Sequence, residues 1–215
     1  MTAELKTFNL VAPKVLEASG ADGKRLNFND VYNSTHVNVQ VPHYVGMLNG
    51  HEVRVRWTNG RYKYDSETLT VGTPGLLNFK IPRLEVIDSI DSLVTVNYSV
   101  RLNPGVPLII SKSLSLNVDE QVFDLPEPRL SADRQKVTVK FLNMTPGYTI
   151  RIRWHGVVIR DTESQAIQNS SSMAFDIPAN WIKENTGKTV LINYSVRRSG
   201  SNDNLMLSRL RRITF

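Results

Sequence analysis

The sequence predicts an all-β protein made of two tandem copies of one small β-sandwich domain. Three observations indicate this class. Three sequence blocks recur in the same order one domain length apart, they alternate apolar and polar residues, and Gly, Pro and Asn clusters separate them at short intervals. The 215 residues suffice for two domains of about 100 residues, each of which can bury its own core.

The internal repeat consists of three matched blocks. They are an alternating strand that ends in Arg-Trp, a block that reads Phe-x-Ile-Pro, and a strand that ends in Asn-Tyr-Ser-Val-Arg. The matched positions are 53–57 and 150–154, 79–82 and 175–178, and 94–101 and 190–197. The offsets are 97, 96 and 96 residues. Such constant spacing indicates that both halves of the chain share one fold.

The boundary between the copies is expected where a strand pattern gives way to a polar hinge. Residues 114–118 alternate as the last strand of the first copy, and Asp-Glu-Gln at 119–121 is the hinge. We therefore assign residues 1–118 to the first copy and residues 119–215 to the second. The Pro-marked openings of the copies lie 115 residues apart, which exceeds the 97-residue repeat by 18. The first copy is thus expected to hold an extra loop within residues 19–36.

The conserved blocks have the two-residue period of half-buried strands. Val53, Val55 and Trp57 share one face of their strand, whereas Arg54 and Arg56 share the other. The strand at 94–101 alternates in the same way, and branched and aromatic residues suit this pleated surface. Short helical turns are expected only after each Ile-Pro pair, where proline ends the strand.

The order of these blocks fits the immunoglobulin-like plan, in which a Trp strand and a Tyr strand are central. The aromatic residues expected in the two cores are Trp57, Tyr98, Trp154 and Tyr194. The chain has no cysteine, so aromatic and branched packing must replace the usual disulfide between the sheets. A buried Tyr hydroxyl then needs a hydrogen-bond partner. A fibronectin-type sandwich would give the same pattern, and the subtype stays open.

These landmarks resemble those of bacterial tandem Ig-like repeat proteins, as found in large repetitive surface and adhesin-type proteins. The shared features are the opening Leu-x-x-Pro, the Gly-Met-x-x-Gly turn, the Trp strand, the Phe-x-Ile-Pro block and the Tyr strand. The resemblance covers almost the whole chain. It implies modules that act as spacers, adhesins or parts of secreted assemblies, and it implies no catalytic residue.

The residues present exclude several kinds of chemistry. Without cysteine there is neither a thiol nucleophile nor a Cys-ligated zinc site. Gly-x-Ser-x-Gly and the phosphate-binding Gly-rich loops are absent from the sequence. The four histidines lack metal-ligand spacing, and Asp88 with Asp91 is the one candidate calcium loop, for which a plain polar loop is the alternative. We therefore expect no enzyme activity, no cofactor and no metal.

Arginines mark a possible anion-binding or partner-binding face on each copy. They lie on the outer side of the Trp strands and at the ends of the Tyr strands, which share a sheet in this plan. The residues are Arg54, Arg56, Arg101, Arg151, Arg153, Arg197 and Arg198. Arginine prefers planar anions, but it also keeps exposed strands soluble and unpaired, and both interpretations stay open.

The expected function is therefore binding or spacing by a bacterial module that is adhesin-like or a component of a secreted or surface assembly, with a protein or glycan partner. An oligomer formed through strand edges is compatible with the sequence as well. Nucleic acid is a less suitable partner, because no aromatic residue lies beside the arginines. The alternative is a soluble recognition protein, glycan-binding or part of a toxin, that uses loops 19–36 and 62–75 at the ends of the sandwich. No secretory signal or membrane-spanning run occurs in the sequence, so we expect either secretion or a cell-surface location reached by another route, with a cytoplasmic location as the alternative.

Overall fold

The chain divides after Asp119 into two compact units. The computed structural model describes residues 9–169 and 171–215. Both units are β-sandwiches, which confirms the predicted fold class of two tandem immunoglobulin-like domains. None of the helices in these ranges is long and apolar enough to cross a membrane.

The first unit consists of a three-stranded sheet and a larger sheet. Its elements in chain order are β1 (Lys14–Val15), β2 (Arg25–Leu26), a 3-10 helix (Phe28–Val31), β3 (His36–Val41), β4 (Glu52–Thr58), β5 (Lys63–Asp65), β6 (Leu69–Thr70), β7 (Leu77–Pro82), α1 (Arg83–Ile87), β8 (Ser92–Arg101), β9 (Ile109–Ile110) and β10 (Leu114–Val118). The small sheet has the order β1-β3-β7, and the large sheet has the order β2-β10-β8-β4-β5, with β6 beside β4 and β9 beside β8.

The second unit repeats this arrangement. Its elements are β11 (Arg129–Leu130), β12 (Lys136–Val139), β13 (Tyr148–His155), β14 (Ile159–Asp161), β15 (Gln165–Ala166), β16 (Met173–Asp176), α2 (Ala179–Glu184), β17 (Thr189–Arg198), β18 (Met206–Leu207) and β19 (Arg211–Thr214). The small sheet is β11-β12-β16. The large sheet is β14-β13-β17-β18, with β15 beside β13 and β19 beside β17.

The hydrophobic core of each unit lies between its two sheets. In the second unit one cluster of buried residues joins Val137 and Phe175 of the small sheet to Ile152 and Tyr194 of the large sheet. The burial of β4 and β8 alternates residue by residue, as the two-residue period requires. Apolar burial on this scale is the main favourable contribution to folding.

The extra segment of the first unit is folded rather than an open loop. It contains β2, which pairs in parallel with β10, and the 3-10 helix, whose Phe28 and Val31 are buried. The Arg83 guanidinium lies 5.4 Å from the centre of the Phe28 ring. The expectation of a plain loop within residues 19–36 is therefore wrong in part, because the segment adds a strand to the large sheet.

Candidate binding surfaces

The outer face of the first large sheet carries an arginine–aspartate cluster. Arg56 on β4 donates two hydrogen bonds to Asp65 on β5, from Nε to Oδ1 at 2.6 Å and from Nη2 to Oδ2 at 2.8 Å. Arg54 Nη2 lies 3.9 Å from Asp65 Oδ2. The hydrogen bond from Arg56, together with the charge of Arg54, lowers the pKa of Asp65 below its ordinary value.

The second unit contains the same cluster. Arg153 binds Asp161 from Nε at 2.8 Å and from Nη2 at 2.7 Å, while Arg151 Nη1 lies 3.5 Å from Asp161 Oδ2. The Arg153 hydrogen bond lowers the pKa of Asp161. In each unit two arginines thus share one carboxylate. The carboxylate offsets one of the two positive charges on the expected basic face. The matched positions 65 and 161, 96 residues apart, are the sequence signal that points to this partner.

The two units differ at the end of the Tyr strand. In the first unit Glu52 stands opposite Arg101 in the β4–β8 register, and Arg101 Nη1 lies 3.4 Å from Glu52 Oε2. In the second unit Thr149 stands opposite Arg197 in the β13–β17 register. Position 149 matches position 52 at the 97-residue offset. The carboxylate that pairs with Arg101 therefore has no counterpart opposite Arg197.

Arg198 lies apart from this face. It stands opposite Tyr148, whose ring packs against the second core. Because strand residues alternate between faces, Arg198 lies on the other side of the sheet from Arg197. The structure therefore brings six of the seven predicted arginines onto two matching faces, three in each unit.

A groove of about 230 Å³ crosses the face of the second unit. It is lined by Thr149, Arg151, Ser164, Ser195, Arg197 and Leu205. A wider depression on the outer face of the small sheet is lined by Pro126, Glu127, Arg129, Thr138, Lys140 and Ser172. There Glu127 already pairs with Arg211 at 3.1 Å.

One end of the first unit exposes apolar side chains. Val45 and Leu48, before β4, are 92% and 61% exposed, and Leu76, before β7, is 60% exposed. Two hydrogen bonds hold these turns together: the Asn49 side-chain Nδ2 donates to the Gly72 carbonyl at 2.7 Å, and Gly50 N donates to Val71 O at 2.9 Å. The β8–β9 connection, which leaves β8 at the same end, exposes two further apolar residues, Val106 and Leu108. Residues 62–75, expected as a recognition loop, contribute part of this end.

In each unit the entering chain runs parallel to a segment near the C-terminal end of that unit, which includes β10 in the first unit and runs from β18 to the residues before β19 in the second. In the first unit Lys112 N donates to Leu10 O at 2.9 Å and Asp119 N donates to Leu26 O at 2.9 Å. Arg25 Nε binds Asp119 Oδ1 at 2.7 Å in addition. These contacts advance in the same direction on both segments, which is the parallel arrangement of β2 and β10.

The second unit forms this parallel contact with side chains as well as backbone. The Gln121 side chain exchanges two hydrogen bonds with the backbone of Leu207, both at 2.8 Å. Further along, Arg209 N donates to Leu125 O at 3.0 Å. We call the paired entering and leaving segments of each unit its terminal clamp.

The buried Trp residues of the two units differ in their hydrogen bonds, whereas the buried Tyr residues do not. Trp57, Tyr98, Trp154 and Tyr194 are all fully buried. Trp57 Nε1 donates to Ser89 Oγ at 3.0 Å, whereas Trp154 Nε1 and the two Tyr hydroxyls are buried without a hydrogen-bond partner among the described residues. The expectation of a partner for the Tyr hydroxyl is therefore wrong. Burial raises the pKa of Tyr98 to about 12.

Asp88 of the candidate calcium loop and the buried His51 each have structural contacts. The Asp88 carboxylate is buried and accepts hydrogen bonds from Arg61 at 3.0 Å and from Asn59 at 3.3 Å. His51 is buried beside Tyr44, whose hydroxyl lies 3.0 Å from His51 Nδ1, and burial lowers the pKa of His51. Within residues 9–169 and 171–215, no three His, Asp or Glu side chains are grouped so as to hold a metal ion.

No family model and no curated protein matches the chain. Solved structures that resemble it include a tandem repeat in the extending region of a large adhesion protein, with 12% identity, 96% of this chain and 49% of that chain covered, and a TM-score of 0.37. A bacterial ice-binding adhesin of 1.5 MDa shares 11% identity over 97% of this chain and 63% of that chain, with a TM-score of 0.35. A marsupial T cell receptor shares 9% identity over 94% of this chain and 99% of that chain, with a TM-score of 0.32. The chain thus spans less than two thirds of both adhesin structures, and likeness at these TM-scores supports no functional conclusion.

Proposed function

We propose that the chain is a non-catalytic binding and spacer protein whose Ig-like units carry tension, as in an adhesin or another component of a secreted or surface assembly. The observation that carries this proposal is the terminal clamp, which occurs in both units. Each clamp joins the two segments of a unit through which tension on the chain would enter and leave that unit.

The clamp resists force because of its direction. When the two ends of a unit are pulled apart, parallel terminal segments slide past one another, and the hydrogen bonds between them are loaded together. An antiparallel hairpin pulled at its open end instead loses one bond at a time. Forced unfolding is governed by the unfolding rate, so the geometry of the clamp affects force resistance more than equilibrium stability.

Single-molecule pulling on the whole chain tests this role. Gln121→Ala removes the two side-chain bonds to Leu207 and is expected to lower the force of one unfolding event, that of the second unit. Lys136→Ala is the matched control, because it removes an exposed contact with Asp176 between β12 and β16, away from the clamp. Equal forces for Gln121→Ala and Lys136→Ala would contradict the proposal.

A second candidate function is loop recognition of a protein partner by the first unit. The exposed apolar end around Val45, Leu48 and Leu76 favours it, because contiguous exposed apolar surface marks protein contacts. Leu48→Asn and Leu76→Asn should abolish binding to partners found on an array of purified proteins, whereas Leu93→Asn, equally exposed at the start of β8, should not. Binding that survives both loop variants would refute this candidate.

A further inference from the structure

We infer that the groove of the second unit binds the carboxylate group of an acidic sugar. This site lies beyond the proposed spacer role and does not depend on it. The inference rests on a comparison of the two copies, which differ where an anion would bind.

The first copy shows how this position is used when a carboxylate is present. Glu52 stands beside Arg101 at 3.4 Å, and Arg54 follows two residues later on the same face of β4. In the first unit the Glu52 carboxylate is therefore the anion that pairs with Arg101, the arginine at the end of β8. The arginine is retained in both copies, while the carboxylate is not.

In the second copy the corresponding place is open and basic. Arg197 has no ion-pair partner among the described residues. Arg151 shares Asp161 with Arg153, which makes the shorter contact to that carboxylate, 2.7 Å against 3.5 Å. Two guanidinium groups thus line a groove whose remaining walls are neutral. Guanidinium groups bind carboxylates through paired, charge-assisted hydrogen bonds.

The register places these groups around one position. Thr149 faces Arg197, and Arg151 faces Ser195, across adjacent strands. Side chains directly opposite in an antiparallel pair are about 5 Å apart, and diagonal ones about 7–8 Å. Arg151 and Arg197 form such a diagonal, so a single carboxylate placed between them lies within reach of both long side chains.

The remaining walls favour a sugar over a small inorganic anion. Thr149, Ser164 and Ser195 contribute hydroxyl groups, which both donate and accept hydrogen bonds and so match the hydroxyls of a sugar ring. Leu205 contributes an apolar wall. The volume of about 230 Å³ is smaller than the ~300–1,000 Å³ of pockets for drug-sized ligands, and it suits one ring with its carboxylate.

The two copies supply the variants that test the inference. Thr149→Glu places in the second unit the side chain that the first unit has, and it should fill the groove from within. Glu52→Thr does the reverse in the first unit and should open a new site beside Arg101. Each change introduces at a surface position a residue that the sister copy already accepts, and circular dichroism is the check that both variants fold.

The experiment is an NMR titration of the full chain with glucuronate oligosaccharides, with neutral glucose oligomers as the control. We expect glucuronate to shift the signals of Thr149 and Arg197, with affinity at least tenfold lower in Thr149→Glu, as for the loss of a charge-assisted hydrogen bond. Glu52→Thr should gain a glucuronate-dependent shift at Arg101. Added salt should weaken both effects, because the groove is open to solvent.

Three results would overturn the inference. The first is the absence of a glucuronate-dependent shift at Arg197. The second is an equal response to neutral glucose oligomers, which would mean that the arginines take no part. The third is equal or tighter binding of inorganic sulfate or of a glutamate-rich peptide, which would assign the groove to a general anion or to a protein partner.

Discussion

Replacing Tyr194 by Phe is expected to stabilise the second unit. The Tyr194 side chain is fully buried, and its hydroxyl has no hydrogen-bond partner among the described residues. Burial holds the pKa of this hydroxyl above its ordinary value, so the group carries no charge at neutral pH. The hydroxyl therefore loses its hydrogen bonds to water on folding and gains none in return.

The magnitude follows from the cost of burying an unpaired polar group, about 1–3 kcal/mol in proteins. Tyr194→Phe removes that cost and keeps the ring, which stacks near Phe141 with ring centres 6.2 Å apart. The small void left by one oxygen offsets part of the gain, since a cavity of this size costs up to about 1 kcal/mol. We expect a net gain of about 1 kcal/mol in the free energy of unfolding.

The assay is urea denaturation followed by tryptophan fluorescence. Trp154 and Trp181 lie in the second unit, and Trp57 lies in the first, so the two transitions are assigned by removing Trp57 in a parallel series. A rise in the second midpoint at unchanged slope is the expected result. A loss of more than about 1 kcal/mol would contradict this prediction, because it would mean that the hydroxyl makes a native hydrogen bond.

Three further predictions concern the polar contacts of the two units. Ser89→Ala removes the hydrogen-bond partner of Trp57 and should destabilise the first unit by about 1–3 kcal/mol, seen as a lower urea midpoint. Asp161→Asn should cost about 1 kcal/mol at pH 7. Folding lowers the pKa of Asp161, so its carboxylate stabilises the second unit above the unfolded value of 3.8. This stabilisation is lost as pH falls through the folded pKa. The urea midpoints of the wild type and Asp161→Asn should therefore become equal in acid. Burial lowers the pKa of His51 in the folded first unit, so the unfolded chain takes up a proton first as pH falls below 6.5, and the unit should lose stability there. His51→Phe should flatten this pH dependence in denaturation midpoints measured from pH 7.5 to 5.5, and an unchanged slope would contradict the role given to His51.

The fold was predictable because its strands must bury one face. The alternation around Trp57 and Trp154 determines which side chains point inward. The same pattern occurs in both copies at a constant spacing, which supports one fold for both. The short strand β2 was not predictable, since its two residues, Arg25 and Leu26, have no periodicity. Its pairing with β10 joins residues that are far apart in sequence, since Arg25 and Leu26 pair with Asn117 and Val118.

The candidate surfaces were predictable only in part. The sequence places Arg54 and Arg56 on one outer face, but the carboxylate of Asp65 reaches them through the β4–β5 pairing, which depends on tertiary structure. The contrast between Glu52 and Thr149 has meaning only once each is seen opposite an arginine. Sequence reasoning identified the basic residues and missed their acidic partners, because cross-strand partners are distant along the chain.

The proposed spacer role depends on the direction in which the terminal clamp is loaded. The chain has no cysteine, so single pulling handles can be attached at introduced cysteines. Handles at Asn9→Cys and Glu120→Cys load the first unit through its ends, and shear the clamp. Handles at Leu93→Cys and Glu120→Cys instead peel β10 from β8 at the end where Ser92 pairs with Val118.

The most direct measurement is therefore the unfolding force of the first unit in these two pulling geometries at one loading rate. We predict a clearly higher force when the unit is pulled through its ends than when β10 is peeled away. Equal forces in both geometries, or a higher force on peeling, would contradict it.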